Sequence, residues 1–192
     1  MSNIDRESIV VYLFLKNEYA KSDGGNNAVF QFVFRSYYGL DGAGLSGKFK
    51  KRFFKLLEQK ENNLKTILKK LYDIPTLRGR KTVQFVFATK LLHTLDNKNP
   101  IFDSRIGKVI NRKVIGITGP ARIKSSISTY KYLEYIHHNL LREGKIKKII
   151  RRFREEFHVN EEQIIDSKIL DFIIWTLGKL KVEDEKAEKR KS

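Results

Sequence analysis

Three features of this 192-residue chain predict an all-α protein, a compact multi-helix bundle. Apolar residues recur at helical spacing through most of its length, and only three prolines interrupt them. The two short runs that alternate with period two, 29–34 and 83–87, share the tetrapeptide QFVF, and each continues into longer helix-like sequence.

The spacing predicts helices near residues 6–21, 27–38, 47–60, 63–72, 80–95, 104–113, 120–142, 145–157 and 167–178. Phe49, Phe53, Leu56 and Leu57 share one face of the third, and Leu64, Ile67, Leu68 and Leu71 one face of the fourth. Ile146, Ile149, Ile150, Phe153 and Phe157 form the stripe of the eighth. Ser46 is placed to cap the third helix, and Thr118 before Gly119-Pro120 opens the seventh. Gly144 separates the seventh from the eighth, and Gly178 followed by Lys179 suits an exit from the ninth. Residues 1–180 read as one helical domain, or as two tightly joined lobes, with 181–192 as a charged disordered tail that has almost nothing to bury.

Charge narrows the partner. With 39 Lys+Arg against 22 Asp+Glu the chain carries a formal +17, more than solubility asks for, and a polyanion is the economical explanation. No cysteine is present, which excludes disulfide scaffolds, thiolate zinc sites and cysteine nucleophiles. His137 and His138 are adjacent and so point apart on a helix, while His93 and His158 lack partners at ligand spacing, so no metal site is indicated. The N-terminus has no basic region leading into an apolar core, and no apolar run approaches the roughly 20 residues that span a bilayer. A soluble cytoplasmic protein, nucleoid-associated and without a membrane partner, is the expectation.

Four stretches carry candidate chemistry. The segment KIKKIIRRFR sets Lys145, Lys147, Lys148, Arg151, Arg152 and Arg154 around an apolar stripe, suited to phosphate contact. Arg78, Gly79, Arg80 and Lys81 precede the predicted fifth helix, where cations, a glycine backbone and the N–H groups of a helix start would face a phosphate together. Gly42, Gly44, Gly47 and Lys48 match most of a phosphate-binding loop, although Phe49 stands where a magnesium-binding hydroxyl belongs; the plainer reading is a connector. Asp103 is a favoured cap at a helix start, and the same position can hold a carboxylate for chemistry. Trp175, amid Ile173, Ile174 and Leu177, reads as core, with stacking on an extruded base as the alternative.

The stretch GRKTVQFVFATKLLHTLDNKNPIFDSRIGKV, residues 79–109, resembles the segment of helix-hairpin-helix base-excision DNA glycosylases in which a proline and a hydrophobic residue lead into the catalytic aspartate. Here those residues are Pro100, Ile101, Phe102 and Asp103. VFQFVFRSYYGLDGAGLSGKFKKRFFKLL and SKILDFIIWTLGK are similar to the flanking helices of small prokaryotic proteins with an 8-oxoguanine DNA glycosylase-like fold, so the resemblance spans most of residues 28–180. It implies a damaged duplex DNA as partner, Asp103 as the group that stabilises charge on the sugar, and a hairpin at Arg78, Gly79 and Arg80 that grips the backbone. It further implies a nucleophilic lysine, Lys81 in the Gly79-Arg80-Lys81 step, and no cofactor; Lys90 is a second candidate, since a partly buried lysine can lose its proton and become nucleophilic. Ile74-Pro75-Thr76-Leu77-Arg78-Gly79 retains only part of the family's leucine-proline-glycine-x-glycine turn. The alternatives are a non-catalytic DNA-binding module of a repair or defence system, in which Asp103 only caps, and a nucleotide-binding protein using Gly42 to Lys48.

Overall fold

Helix follows the apolar stripes. The structure, a computed structural model, describes residues 4–22 and 26–189, and the described residues form nine α-helices and no strand. These are α1 (Arg6–Ser22), α2 (Ala28–Tyr38), α3 (Gly47–Glu58), α4 (Leu64–Tyr72), α5 (Phe85–Leu95), α6 (Ser104–Val109), α7 (Gly119–Arg142), α8 (Gly144–Phe157) and α9 (Asp166–Lys189). Side-chain caps open most of them: Asn27, Ser46, Asn63, Asp103 and Thr118 each accept from an N–H of the first turn.

Four boundaries differ from the sequence expectation. α5 begins at Phe85 rather than near 80, because the Arg80 carbonyl is taken by Thr76, whose N–H and hydroxyl donate to it at 2.9 and 3.1 Å. Gly79, at φ +74°, closes that turn, so the helix-start N–H groups do not stand beside Arg78–Lys81 as expected. α6 stops at Val109 because Asn111 turns left-handed at φ +52° and Arg112 N–H donates back to the Gly107 carbonyl.

The other two concern α9. Gly178 is no exit: it lies inside the helix, where a Cβ would come within 2.5 Å of the Arg105 carbonyl oxygen, so glycine lets α9 lie against α6. Beyond it the expected disordered tail is helical as far as Lys189, tied to α6 by a Lys108–Glu185 ion pair and by Lys181 reaching the Lys108 carbonyl at 3.5 Å. Residues 190–192 of that tail lie outside the described residues.

Buried side chains gather in two clusters. The larger is built by α2 to α5, α7 and the middle of α9 around Phe30, Phe34, Phe49, Phe53, Leu68 and Leu91. The smaller joins Ile9 and Tyr12 of α1 to Ile150 and Phe153 of α8 and Ile169 and Phe172 of α9. α9 belongs to both, giving Leu170 and Ile174 to the first and Ile169 and Phe172 to the second. Each fully buried side chain of this size contributes on the order of 1.5–3 kcal/mol, so a helix anchored in both clusters is held firmly in place. The groups described next lie along the seam that α9 makes between them.

Candidate functional site

Asp103 is reached through an immobilised approach. Thr89, fully buried on α5, accepts the Phe102 N–H at 3.0 Å through its hydroxyl oxygen, and its hydroxyl in turn bonds the Val86 carbonyl at 3.0 Å. Asp171 of α9 faces the Ile101 N–H from the opposite side, with both carboxylate oxygens at 3.4 Å. The chain between Pro100 and Asp103 is therefore fixed by a side chain from each flanking helix. Asp103 then caps α6: its Oδ1 accepts from Arg105 N–H and Ile106 N–H, both at 2.9 Å. Both bonds fall on Oδ1, which leaves Oδ2 without a hydrogen bond from the described residues.

That carboxylate lines a cavity of about 290 Å³ shared by α1, α2, α5 and α9. Its walls are aromatic, with Tyr37 and Tyr38 from the end of α2 and Phe172 and Trp175 from α9. Trp175 is half-buried and packs against the larger core, yet it also forms cavity wall, with the Arg105 guanidinium 4.3 Å from its ring centre. The core reading of Trp175 is thus incomplete. Tyr38 owes its place to Phe34, whose ring lies 4.6 Å from it and 5.5 Å from Phe53, and Gly39 ends α2 at φ +74° just beyond.

Two lysines line the same cavity. Lys90 donates to the Tyr38 carbonyl at 2.8 Å, a free carbonyl at the end of α2, and its ammonium lies 5.3 and 5.1 Å from the Tyr38 and Phe87 ring centres. Burial pushes the Lys90 ammonium down to about 8; Asp103 opposes the shift and Lys168 adds to it. Lys168, in the first turn of α9, is 4% exposed and lies 4.8 Å from the Tyr12 ring and 4.6 Å from the Phe172 ring. No hydrogen-bond acceptor meets its ammonium among the described residues. Burial holds Lys168 below the ordinary lysine range, with Asp171 opposing, and burial holds Asp171 above the ordinary carboxylate range, with Lys168 opposing.

Behind Asp171 stand two buried imidazoles. His93 Nδ1 donates to the Asn99 carbonyl at 2.7 Å, and His137 Nε2 lies 3.4 Å from Asp171 Oδ1, outside hydrogen-bond geometry. Burial pushes His137 down to about 4 and His93 well below its usual value, which favours the neutral form of both rings. The polar surroundings of Asp171 are therefore the Ile101 N–H at 3.4 Å, His137 Nε2 at 3.4 Å, His93 Nδ1 at 3.8 Å and the charge of Lys168.

The remaining candidates are elsewhere. Lys81 does not line the Asp103 cavity; it is exposed in the loop before α5, 3.9 Å from Asp73 and over the Tyr72 ring at 5.9 Å. Arg78, Gly79 and Arg80 are exposed in the same loop. Lys145, Lys147, Lys148, Arg151 and Arg152 are exposed on α8 with no carboxylate partner among the described residues, whereas Arg154 turns inward to Asp166 and to the Ile164 carbonyl at 2.7 Å. Gly42 and Gly44 lie between α2 and α3, Gly47 and Lys48 in the first turn of α3, and the helix α2, not a strand, precedes them where a phosphate-binding loop grows from a buried strand.

Sequence reasoning missed Thr89, Asp171 and Lys168 as site residues. The last two carried a signal: Lys168, Asp171 and Trp175 fall on one face of an otherwise apolar helix, and a lysine and an aspartate three apart among Ile169, Leu170 and Phe172 are out of place in a core. It also missed an open groove of about 770 Å³ beside α6, rimmed by Lys108, Arg112, Lys113 and Arg122. Among the described residues no group of three or more His, Cys, Asp or Glu could hold a metal, and no helix is long and apolar enough to cross a membrane. The chain matches no protein-family model, no curated protein and no solved structure.

Proposed function

We propose that the cavity receives one nucleotide extruded from duplex DNA, and that the protein is a base-excision DNA glycosylase acting on damaged bases. One observation carries the reading: a carboxylate with a free oxygen, fixed at a helix start, forms the wall of an aromatic cavity of about 290 Å³. That volume lies just below the roughly 300–1,000 Å³ typical of small-ligand sites, and an extruded base is read in such a pocket by stacking between aromatic side chains. As the glycosidic bond breaks, positive charge develops on the sugar, and Asp103 Oδ2 stabilises it without having to reorganise. The helix-hairpin-helix and 8-oxoguanine glycosylase-like resemblance of residues 28–180 supports the same reading.

Duplex binding would use the exposed cations of α8, the loop at Arg78 and Arg80, and the groove rimmed by Lys108, Arg112, Lys113 and Arg122. A second reading, a DNA-binding module without catalysis, is favoured by the full use of Asp103 Oδ1 in capping. The two part on one assay. Duplexes carrying oxidised, deaminated or alkylated bases are incubated under single-turnover conditions with wild type and Asp103→Asn, which keeps the cap and removes the charge. Base release by wild type, reduced about 10²–10³-fold in Asp103→Asn with duplex affinity retained, is the expected result. Binding of every duplex with release from none leaves only the non-catalytic module.

A further inference from the structure

We propose that the outer face of the α1–α2 hairpin is a contact surface for a second copy of this chain, related to the first by a two-fold axis. The contact is compatible with either reading of the cavity. Val10, Phe14, Val29 and Phe32 are each more than a third exposed, and they make up four of the ten large apolar side chains that stand in solvent among the described residues. They are not scattered. Val10 and Phe14 are one turn apart on α1, on the side away from the buried Ile9, Tyr12 and Leu15, and Val29 and Phe32 are one turn apart on α2. Between the two ridges runs a groove of about 290 Å³ whose walls include Val11, Phe32 and Val33, so the apolar surface is continuous across both helices. A monomeric protein rarely leaves a continuous apolar surface in water.

Charge decides what covers this face. Residues 1–40 hold four acidic and four basic side chains, so the whole +17 of the chain lies in residues 41–192. The cations of the hairpin are also engaged: Lys16 donates to the Gln163 carbonyl at 2.9 Å, Lys21 pairs with Glu18 at 2.9 Å, and Arg35 lies 3.8 Å from Asp41. A polyanion finds little to hold there. Two copies of a chain with this net charge repel one another wherever their surplus cations meet, and the hairpin is the stretch that carries no surplus. α8 packs behind α1, with Ile150 and Phe153 in the cluster of Ile9 and Tyr12, so its cations stay on the far side of a contact made by Val10 and Phe14. The exposed face of α1 is self-complementary as well. Glu7 and Lys21 lie on it seven residues before and after Phe14, so an axis across Phe14 sets Glu7 of each copy opposite Lys21 of the other. Phe14 then meets its own counterpart on the axis.

The test is analytical ultracentrifugation of the full-length protein, freed of nucleic acid, at about 1–100 µM. The expected species has twice the 22.5 kDa of one chain and becomes more abundant as concentration rises. Its association should strengthen with salt, because screening relieves the repulsion between the two charged bodies, whereas copies bridged by residual nucleic acid would separate. Val10→Asp and Phe32→Asp should each give monomer with the helical circular dichroism spectrum unchanged, while Ile117→Asp, the same change at a fully exposed side chain outside the hairpin, leaves the dimer. The chain has no cysteine, so Phe14→Cys introduces a single thiol, and oxidation should join two copies through it faster than through Ile117→Cys. That comparison decides even if an aspartate variant fails to fold. A dimer in which the Phe14→Cys thiols do not join overturns the axis at Phe14. Wild type that stays monomeric across the range overturns the proposal and leaves the hairpin face to a different protein. A dimer that survives both aspartates is made elsewhere on the molecule and overturns it equally.

Discussion

Lys147, Lys148, Arg151 and Arg152 on α8 and the pair Lys90 and Lys168 in the cavity carry the same charge in opposite surroundings. The α8 cations stand in water without partners among the described residues, while the cavity lysines are enclosed by aromatic rings. In water an unpaired cation costs nothing, acts by number, and is replaceable by any other cation. Inside, a single ammonium opposes its own burial, so its persistence asks for a specific reason: Lys90 closes a helix end through the Tyr38 carbonyl, and the Lys168 charge is opposed by that of the buried Asp171 carboxylate. Charge count therefore speaks to the partner, and charge placement speaks to the chemistry.

The largest effect that would sharpen this contrast is in duplex affinity. Charge reversal at Lys147, Lys148, Arg151 and Arg152 is expected to leave stability within about 0.5 kcal/mol per site, because the exposed face of α8 packs on nothing. The log–log salt dependence of binding should fall by about 3–4, roughly 0.9 for each phosphate that is no longer neutralised. Reversal at Arg78 and Arg80 alone should lower it by about 2. A salt dependence unmoved by the α8 reversal would make that helix an ordinary solvated face and break the comparison on its outer side.

Next in size is the seam that shapes the cavity. Gly178→Ala places a Cβ within 2.5 Å of the Arg105 carbonyl, against backbone that cannot rotate away, whereas Gly42→Ala puts one into open space at an ordinary φ. The first should cost about 1–3 kcal/mol and lower the melting temperature by roughly 2–4 °C for each kcal/mol, and the second should change little. Equal melting temperatures for the two variants would mean that α9 does not press on α6 at Gly178.

How much of this is legible in the sequence follows from what each feature depends on. Helices that fill their own stripe, such as α3 with Phe49, Phe53, Leu56 and Leu57, are read from local spacing, and so are the caps at Ser46, Asp103 and Thr118. Gly178 misleads because a glycine that ends a helix and one that admits a neighbouring backbone are alike in sequence; only the position of Arg105 separates them. The start of α5 is displaced because the Arg80 carbonyl is claimed by Thr76 in a turn that no helical periodicity reports. Asp103 stands out in the chain. Thr89 and Asp171, which hold the approach to it, are 14 residues before and 68 after, and no spacing rule connects them.

The smallest expected effect tests the inner side of the comparison through Lys90. Its ammonium is pushed down to about 8 by burial, below the ordinary lysine value of 10.5 it has in the unfolded chain. Below pH 8 both states hold the proton, so the full cost of burying the charge is present and does not vary with pH. Between about pH 8 and 10.5 the unfolded chain binds more proton than the folded one, and this group's contribution to stability rises with pH until the cost is gone. Lys90→Met keeps the stem between the Tyr38 and Phe87 rings and removes the titration, while Lys168, Asp171 and the tyrosines are common to both proteins and largely cancel. Urea unfolding at intervals from pH 7 to 10.5 should therefore show wild type gaining on Lys90→Met by on the order of 1–2 kcal/mol after allowance for solvent screening. A gap that stays constant across the range would place Lys90 with the solvated cations, and only Lys168 would then remain to distinguish the cavity from the surface of α8.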